Sequence, residues 1–187
     1  MRSSGSRPSS LPSTDPIQVA AEPHPLRVLQ LIGDTDPSAT NLAAVALHRE
    51  LADVDVEVRT LALAPGRRGG LDDAVPVMAP TRRSWTIRRV LDRESRWADV
   101  TLVHAPGALV RRTRRRAGRP PVVVVLPTDH DEPDSDPLPG EGVDLLVVVA
   151  PVGSGTDTGG PGVVRLTEPI DAATWRELLA SCVTRSR

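Results

Sequence analysis

One stretch of the sequence, Pro121 to Leu126, constrains the fold more than any other. It reads Pro-Val-Val-Val-Val-Leu and is the most continuous β-branched run in the chain. β-branched side chains favour strands, and a strand without polar alternation is typical of a parallel sheet that is buried on both faces. Because parallel strands need long crossover connections, usually helices, the run predicts an α/β domain.

Further predicted strands lie on both sides of this run and alternate with helices. We expect strands over Arg27–Ile32, Val54–Leu63, Asp99–His104, Val143–Val149 and Val163–Leu166, with Val75–Met78 as a possible short edge strand. This order predicts a Rossmann-like, doubly wound parallel sheet with right-handed connections. A length of 187 residues suits one such domain, which we place at residues 26–187.

Helical spacing of apolar residues predicts the connections. In the first helix Ser38 or Thr40 is the N-cap and His48 is more exposed than the inward face, which comprises Ala43, Ala44, Leu47 and Leu51. A second helix begins at Ser84 and ends near Ala98, with Ile87, Val90 and Leu91 inward and an ion pair between Asp92 and Arg96. A third runs from Pro106 to about Ala117.

The final helix follows Asp171 and carries the cleanest apolar stripe in the chain. The stripe consists of Trp175, Leu178, Leu179, Cys182 and Val183. Packed on the domain's own sheet it is structural, whereas left exposed it is a surface for a partner. The sequence alone leaves both alternatives open.

Composition excludes several classes of protein. With 39% hydrophobic and 25% charged residues the chain is an ordinary globular protein, and its net charge of −1 favours neither nucleic acid nor a membrane. The absence of lysine removes the phosphate-loop lysine and the Schiff-base lysine, and the single cysteine forms no internal disulfide. We therefore predict a cytoplasmic protein without a cofactor. Residues 1–25 are rich in Ser and Pro, and we predict that they form a disordered leader before the domain.

Ligands of doubly wound sheets bind beyond the carboxyl ends of the strands, so we expect a ligand site in three loops that follow predicted strands. The candidate residues for substrate binding there are Gly33, Asp34, Ser38, Ala39, His104, Asp129 and His130. For His104 a hydrogen bond to a ligand and a purely structural role remain alternatives. Asp129 and His130 lie in an acidic loop whose spacing fits no standard metal site, so no metal is predicted.

Two further segments suggest binding but favour simpler interpretations. The run Arg111–Arg116 has no interleaved aromatic residues, so we predict no nucleic-acid partner and, at most, weak contact with a membrane surface. The stretch from Gly153 to Gly162 lacks the lysine of a phosphate loop and the dinucleotide-binding fingerprint. We interpret it as a flexible connection.

The order of these motifs resembles the N-terminal domain of GT-B glycosyltransferases, in particular the family 4-like retaining enzymes. The residues that carry the resemblance are Leu26–Leu51, Val56–Pro65, Ala98–Gly107 with His104 at the acceptor side of the cleft, and the closing segment Val163–Asp171. It implies a domain that holds a sugar acceptor. Catalytic residues are not assigned by it.

The sequence departs from this family in two places. The first loop of the family carries paired glycines that allow a donor phosphate to approach the backbone, and Ser38 and Ala39 stand there instead. The donor-binding domain would begin after Asp171, where the chain has only one more helix. The expectation is therefore a glycosyltransferase-like domain, hexosyltransferase-like if an enzyme at all, that needs a donor-binding partner polypeptide. The alternative is a non-catalytic Rossmann-like binding or regulatory module.

Overall fold

The computed structural model describes residues 24–68, 70–71, 73–77, 84–104, 119–127, 143–150, 162–167 and 169–185. The elements in chain order are β1 (Leu26–Asp34), α1 (Ala39–Ala52), β2 (Val56–Ala64), α2 (Ser84–Trp97), β3 (Val100–Val103), β4 (Val122–Pro127), β5 (Leu145–Ala150), β6 (Val163–Thr167) and α3 (Ala172–Arg185). Most of the predicted leader and the predicted helix at 106–117 lie outside the described residues.

The described strands form one sheet of six parallel strands in the order β2-β1-β3-β4-β5-β6. The predicted doubly wound α/β fold is therefore confirmed. The strand order reverses between β1 and β3, because the chain places β2 on one side of β1 and all later strands on the other. In such sheets this switch point opens a crevice at the carboxyl ends of the two strands.

Helices cover both faces of the sheet, and alternate residues of each strand point to opposite faces. On the first face, α1 and α3 pack on a cluster that includes Val28, Leu102 and Val123. On the second face, α2 packs on a cluster that includes Leu29 and Val124. Central strands buried on both faces explain why Val122–Leu126 has no polar alternation.

The first helix confirms part of its predicted face. Ser38 is the N-cap, and its Oγ accepts a hydrogen bond of 3.2 Å from the backbone N–H of Asn41. Ala44, Leu47 and Leu51 are buried, but Ala43 is exposed. His48 is more exposed than the three buried residues, as predicted, but it is half-buried and contacts Thr60 of β2. This contact is geometric in origin, since His48 lies one turn after the inward-facing Ala44.

The second helix is attached to the sheet by apolar and ionic contacts. Ile87 and Leu91 are buried as predicted. Glu94 is also buried, and it accepts hydrogen bonds of 3.0 Å from Nη1 of Arg59 in β2 and 2.6 Å from Nε of its neighbour Arg93. The Arg59 guanidinium in turn lies 3.9 Å above the centre of the Trp97 ring.

Asp92 forms an ion pair with a different arginine from the predicted Arg96. Asp92 pairs with Arg119, which lies just before β4. The pair therefore connects α2 to the sheet instead of stabilising one turn of the helix. Spacing along a helix shows which partners are within reach, but not which tertiary partner competes for the same carboxylate.

The apolar stripe of α3 packs against the sheet of its own chain. Trp175, Leu179 and Cys182 are buried in the first-face cluster, and Leu178 and Val183 pack against it. The structural alternative for this stripe therefore applies. None of the helices in the described ranges has the length and apolar character needed to cross a membrane.

Of the predicted edge strand at Val75–Met78, the structure describes residues 75–77, which form one parallel bridge. Val77 pairs with Ala62 of β2, and the carbonyl of Pro76 accepts a 3.0 Å hydrogen bond from the Ala62 N–H. Pro76 has no N–H to donate, so its presence limits a regular ladder at this place.

At the amino ends of the strands, two aspartates connect neighbours in the same way. Asp99 precedes β3, and its backbone N–H donates to the Arg27 carbonyl (2.8 Å) while its carboxylate accepts the Arg27 N–H (3.0 Å). Asp144 precedes β5 and makes the same two bonds with Val122 of β4, at 2.8 and 2.9 Å. Each reciprocal pair sets the start of one strand against another.

Candidate functional site

A row of polar side chains crosses the first face of the sheet near the switch point. Gln30 of β1 and Thr60 of β2 are register partners, and His104 follows the end of β3 on the same face. Their exposed fractions are only 0%, 7% and 4%, so all three lie inside the protein. Buried polar groups of this kind need hydrogen-bond partners to avoid a large desolvation cost.

The three side chains satisfy one another and bind α1. Nε2 of Gln30 donates to the Ala44 carbonyl of α1 (2.9 Å) and lies 2.7 Å from Nε2 of His104. The Thr60 hydroxyl donates to Oε1 of Gln30 over 2.9 Å, and Nδ1 of His48 lies 2.8 Å from the same hydroxyl oxygen. We call His48, Thr60, Gln30 and His104 the buried network.

The direction of each hydrogen bond follows from the amide of Gln30. An amide nitrogen only donates, so Nε2 of His104 accepts and the ring carries its proton on Nδ1. Thr60 gives its hydroxyl proton to Gln30, so it accepts from Nδ1 of His48. Both histidines are therefore assigned as Nδ1–H when neutral, and the network has a single consistent orientation.

Burial holds both imidazoles in the neutral form. It lowers the pKa of His104 to about 4, and among the described residues no charged group contributes to that shift. The pKa of His48 is lowered first by burial and then by the charge of Arg49. His104 is consequently neutral at neutral pH, with Nε2 already engaged.

The loop between β1 and α1 is closed by its own side chains. The buried amide nitrogen of Asn41 donates to the Asp34 carbonyl (3.0 Å), to Oδ1 of Asp34 (3.1 Å) and to the Asp36 carbonyl (2.8 Å). The same Asp34 oxygen accepts the Asp36 N–H at 3.0 Å. Together with the Ser38 cap, these bonds engage the N–H groups of Asp36 and Asn41, two of the groups that a phosphate at this helix N-terminus would use.

The loop after β2 closes over this first loop. The Thr35 hydroxyl accepts the Gly66 N–H at 2.6 Å, and Oδ1 of Asp36 accepts the Arg68 N–H at 2.7 Å. A Cβ added at Gly66 would lie 2.6 Å from Oδ1 and 2.7 Å from the backbone nitrogen of Asp36, so only glycine fits. The backbone N–H groups of Arg68 and then Arg67 lower the pKa of Asp36. We call this contact the loop clasp.

The predicted site residues occupy different parts of this arrangement. Gly33 and Asp34 are the half-buried end of β1, and Ser38 and Ala39 are exposed at the start of α1. Asn41 joins Asp34 to Ser38, since its side chain binds the first and its backbone N–H the second. His104 lies beside β1, where its N–H donates to the Leu31 carbonyl at 2.9 Å.

Several predicted features lie outside the described residues. These are Asp129, His130, the run Arg111–Arg116 and the stretch from Gly153 to Gly162. Within the described ranges, no three His, Cys, Asp or Glu side chains lie close enough together to hold a metal ion.

Four polar residues of the site were missed by sequence reasoning. They are Gln30, Asn41, His48 and Thr60. Gln30 carries the clearest signal, because it is the one polar side chain within the apolar run Val28–Ile32. A polar group in the middle of a strand predicted to be buried on both faces indicates a buried hydrogen-bond partner.

Comparisons with known proteins leave the family open. No protein-family model matches the sequence, and no curated protein matches it. Two solved structures match: a response regulator receiver domain protein from Bacillus halodurans and a protein described as a quinone reductase from Klebsiella pneumoniae. The first has a TM-score of 0.36 and 11% identity, covering 84% of this chain and 97% of its own. The second has a TM-score of 0.36 and 14% identity, covering 86% and 83%.

Proposed function

We propose that this chain is a non-catalytic binding or regulatory module built on a Rossmann-like scaffold. The observation that carries the proposal is the closed loop between β1 and α1. In dinucleotide-binding folds this loop offers free backbone N–H groups to a phosphate. Here the Asn41 N–H is bound by Ser38, the Asp36 N–H by Asp34, and the loop carbonyls by the Asn41 amide.

Charged side chains of both signs lie at this edge. Asp34 and Asp36 place two carboxylates beside the start of α1, and the backbone bonds that lower the pKa of Asp36 favour its ionised form. The carboxylates repel a diphosphate, whereas the positive charges of Arg68 and Arg67 near Asp36 attract one. The hydrogen bonds within the loop, and not its charge, therefore carry the proposal.

The state of His104 also argues for a structural role. A general base needs a free lone pair within reach of the substrate proton and a pKa near the working pH. The Nε2 lone pair of His104 accepts from Gln30, its exposed fraction is 4%, and burial lowers its pKa to about 4. These properties suit a residue that organises the sheet edge.

Calorimetric titration of the chain with UDP-glucose and GDP-mannose tests the proposal. We expect no saturable heat up to millimolar ligand, and no change in the amide NMR signals of Thr35, Asp36 and Asn41. A matched variant, Asp36→Asn, removes one charge while keeping an acceptor for the Arg68 N–H. Saturable binding by the wild-type chain, with shifts in the loop after β1, would contradict the proposal.

A second candidate is the acceptor-side domain of a glycosyltransferase, working with a donor-binding partner polypeptide. The observation that favours it is the place of His104, at the carboxyl end of β3 beside the switch point. In this case sugar transfer appears only when the donor-binding polypeptide is added. A His104→Gln variant keeps an acceptor for Gln30 but has no ionisable ring, so loss of transfer in that variant would favour catalysis over structure.

A further inference from the structure

The buried network joins two parts of the fold that are far apart in the sequence. It links the end of β3 to α1 through β1 and β2, and its only bond to the backbone of α1 among the described residues is the one from Gln30 to Ala44. Gln30 is therefore the point at which the state of the His104 ring reaches the backbone of the helix. This consequence goes beyond the proposed function.

Adding a proton to His104 is incompatible with the present orientation of the network. The proton has to go to Nε2, because Nδ1 already carries one, and Nε2–H would then face the donor Nε2 of Gln30. The amide relieves this clash by turning over, so that Oε1 faces the histidine. The same rotation places Oε1 against the Ala44 carbonyl, and two acceptors cannot bond.

Protonation of His48 has no such effect. Its Nδ1 donates to Thr60 in both the neutral and the charged form, so the extra proton on Nε2 leaves the network unchanged. After Gln30 has turned, Thr60 faces two donors, Nε2 of Gln30 and Nδ1 of His48, and its own proton loses the acceptor Oε1. The network thus responds to one histidine and not to the other.

We propose that the buried network is a proton-responsive latch, in which a proton on Nε2 of His104 reverses the Gln30 amide and releases α1 from the sheet at Ala44. The proton comes from hydronium in the solvent, whose O–H bond breaks as the N–H bond forms on His104, and within the protein only hydrogen bonds break. Above the pH at which His104 takes up this proton, the latch holds α1 on β1. Below that pH, the helix separates from the sheet at Ala44.

Among the described residues, few other ionisable groups lie near His104. β4 has no ionisable side chain, and Glu57 and Arg59 of β2 alternate with Thr60 and lie on the other face. Burial raises the pKa of the Cys182 thiol of α3, which keeps it neutral. The described ionisable groups on this side are Asp34, Asp36, His48, Arg49 and Glu50 at β1 and α1, and Arg176, Glu177, Cys182 and Arg185 of α3.

Two NMR measurements on the full chain test the latch. Ring nitrogen spectra at neutral pH should show His104 and His48 as Nδ1–H. The opening of α1, measured by amide exchange after correction for the intrinsic rate, should rise by up to about tenfold per pH unit between pH 6.5 and 4, the slope of a single proton. An Nε2–H tautomer for His104 at neutral pH would overturn the proposal.

Variants separate the latch from general acid unfolding. His104→Gln is expected to lose that slope apart from any share due to His48, whereas His24→Gln, at an exposed histidine beside the opposite edge of the sheet, keeps it. Retention of the full slope in H104Q would contradict the latch. If H104Q fails to fold, the test uses the wild-type protein alone. The ring signal of His104 and the opening of α1 are then followed over the same pH series, and the latch requires both to change over the same pH range.

Discussion

The two edges of the sheet are held together in different ways. At the amino edge, Asp99 and Asp144 each bind one neighbouring strand through a reciprocal pair of bonds, and the two pairs share no atom. At the carboxyl edge, the buried network and the loop clasp connect three strands, two loops and a helix through shared side chains. Independent contacts add, whereas shared ones fail together. The amino edge therefore sets register, and the carboxyl edge is where one change affects several elements.

The largest effect is expected from Gln30→Leu. The substitution leaves His104 Nε2, the Thr60 hydroxyl and the Ala44 carbonyl without their present partner. At about 1–3 kcal/mol for each buried group left unsatisfied, offset in part by the apolar gain, we expect a loss of about 3–5 kcal/mol in the free energy of unfolding. Urea denaturation at pH 7 measures it, with His24→Gln as a control near zero. A loss below about 1 kcal/mol would show that the network contributes little.

The pH dependence of stability comes next in size. The folded-state pKa of His104 is lowered from 6.5 to about 4, so the folded protein binds fewer protons than the unfolded chain between these values. Its contribution is fully present above about pH 6.5 and is lost as pH falls toward 4. At 1.36 kcal/mol per pKa unit this amounts to about 3 kcal/mol. Urea denaturation at several pH values tests it, and a stability that is flat from pH 7 to 5 would contradict the burial of His104.

Gly66→Ala tests the loop clasp. Because the new Cβ would lie 2.6 Å from Oδ1 and 2.7 Å from the backbone nitrogen of Asp36, the two loops must separate. Strain of this kind costs about 1–3 kcal/mol. We expect a lower melting temperature and NMR shifts that extend to Asn41 on the far side of the first loop. Shifts confined to residues 65–68 would mean that the two loops move independently.

The smallest effects are expected at the amino edge. Asp99→Ala and Asp144→Ala each remove a carboxylate from a half-buried backbone N–H and should cost about 1–2 kcal/mol. Because the pairs share no partner, the double variant should cost the sum of the two. The Asp→Asn variants, which keep an acceptor oxygen, are the matched controls. Departure from additivity by more than about 0.5 kcal/mol would remove the contrast between the edges.

Regular features of the fold were open to prediction from the sequence. The valine run and the alternation of strands and helices indicated a parallel sheet, because both depend on local pattern. Even the boundaries agree closely, with β4 at Val122–Pro127 against a prediction of Pro121–Leu126. The second strand begins later than predicted, at Val56, because the preceding turn uses a left-handed residue, Asp55 with φ of 59°.

The site was less accessible to prediction, because its members are separated along the chain. Gln30 and His104 lie 74 residues apart, and only strand order brings them together. His104 was placed correctly at the end of its strand, yet its partner depends on which strand lies beside it. His48 was predicted only as a residue more exposed than the inward face of α1, and its bond to Thr60 depends on how α1 packs against β2.

The placement of the tryptophans gives each face of the sheet its own optical reporter. The sequence has no tyrosine and three tryptophans. Trp175 is buried on the face covered by α1 and α3, and Trp97 lies beneath the Arg59 guanidinium on the face covered by α2. With Trp85 and Trp97 of α2 both replaced by leucine, the emission of Trp175 reports loosening beside α1, and with Trp85 and Trp175 replaced, that of Trp97 follows the opposite layer. Fluorescence from these two variants can therefore distinguish a helix that separates from one face from a domain that melts as a whole.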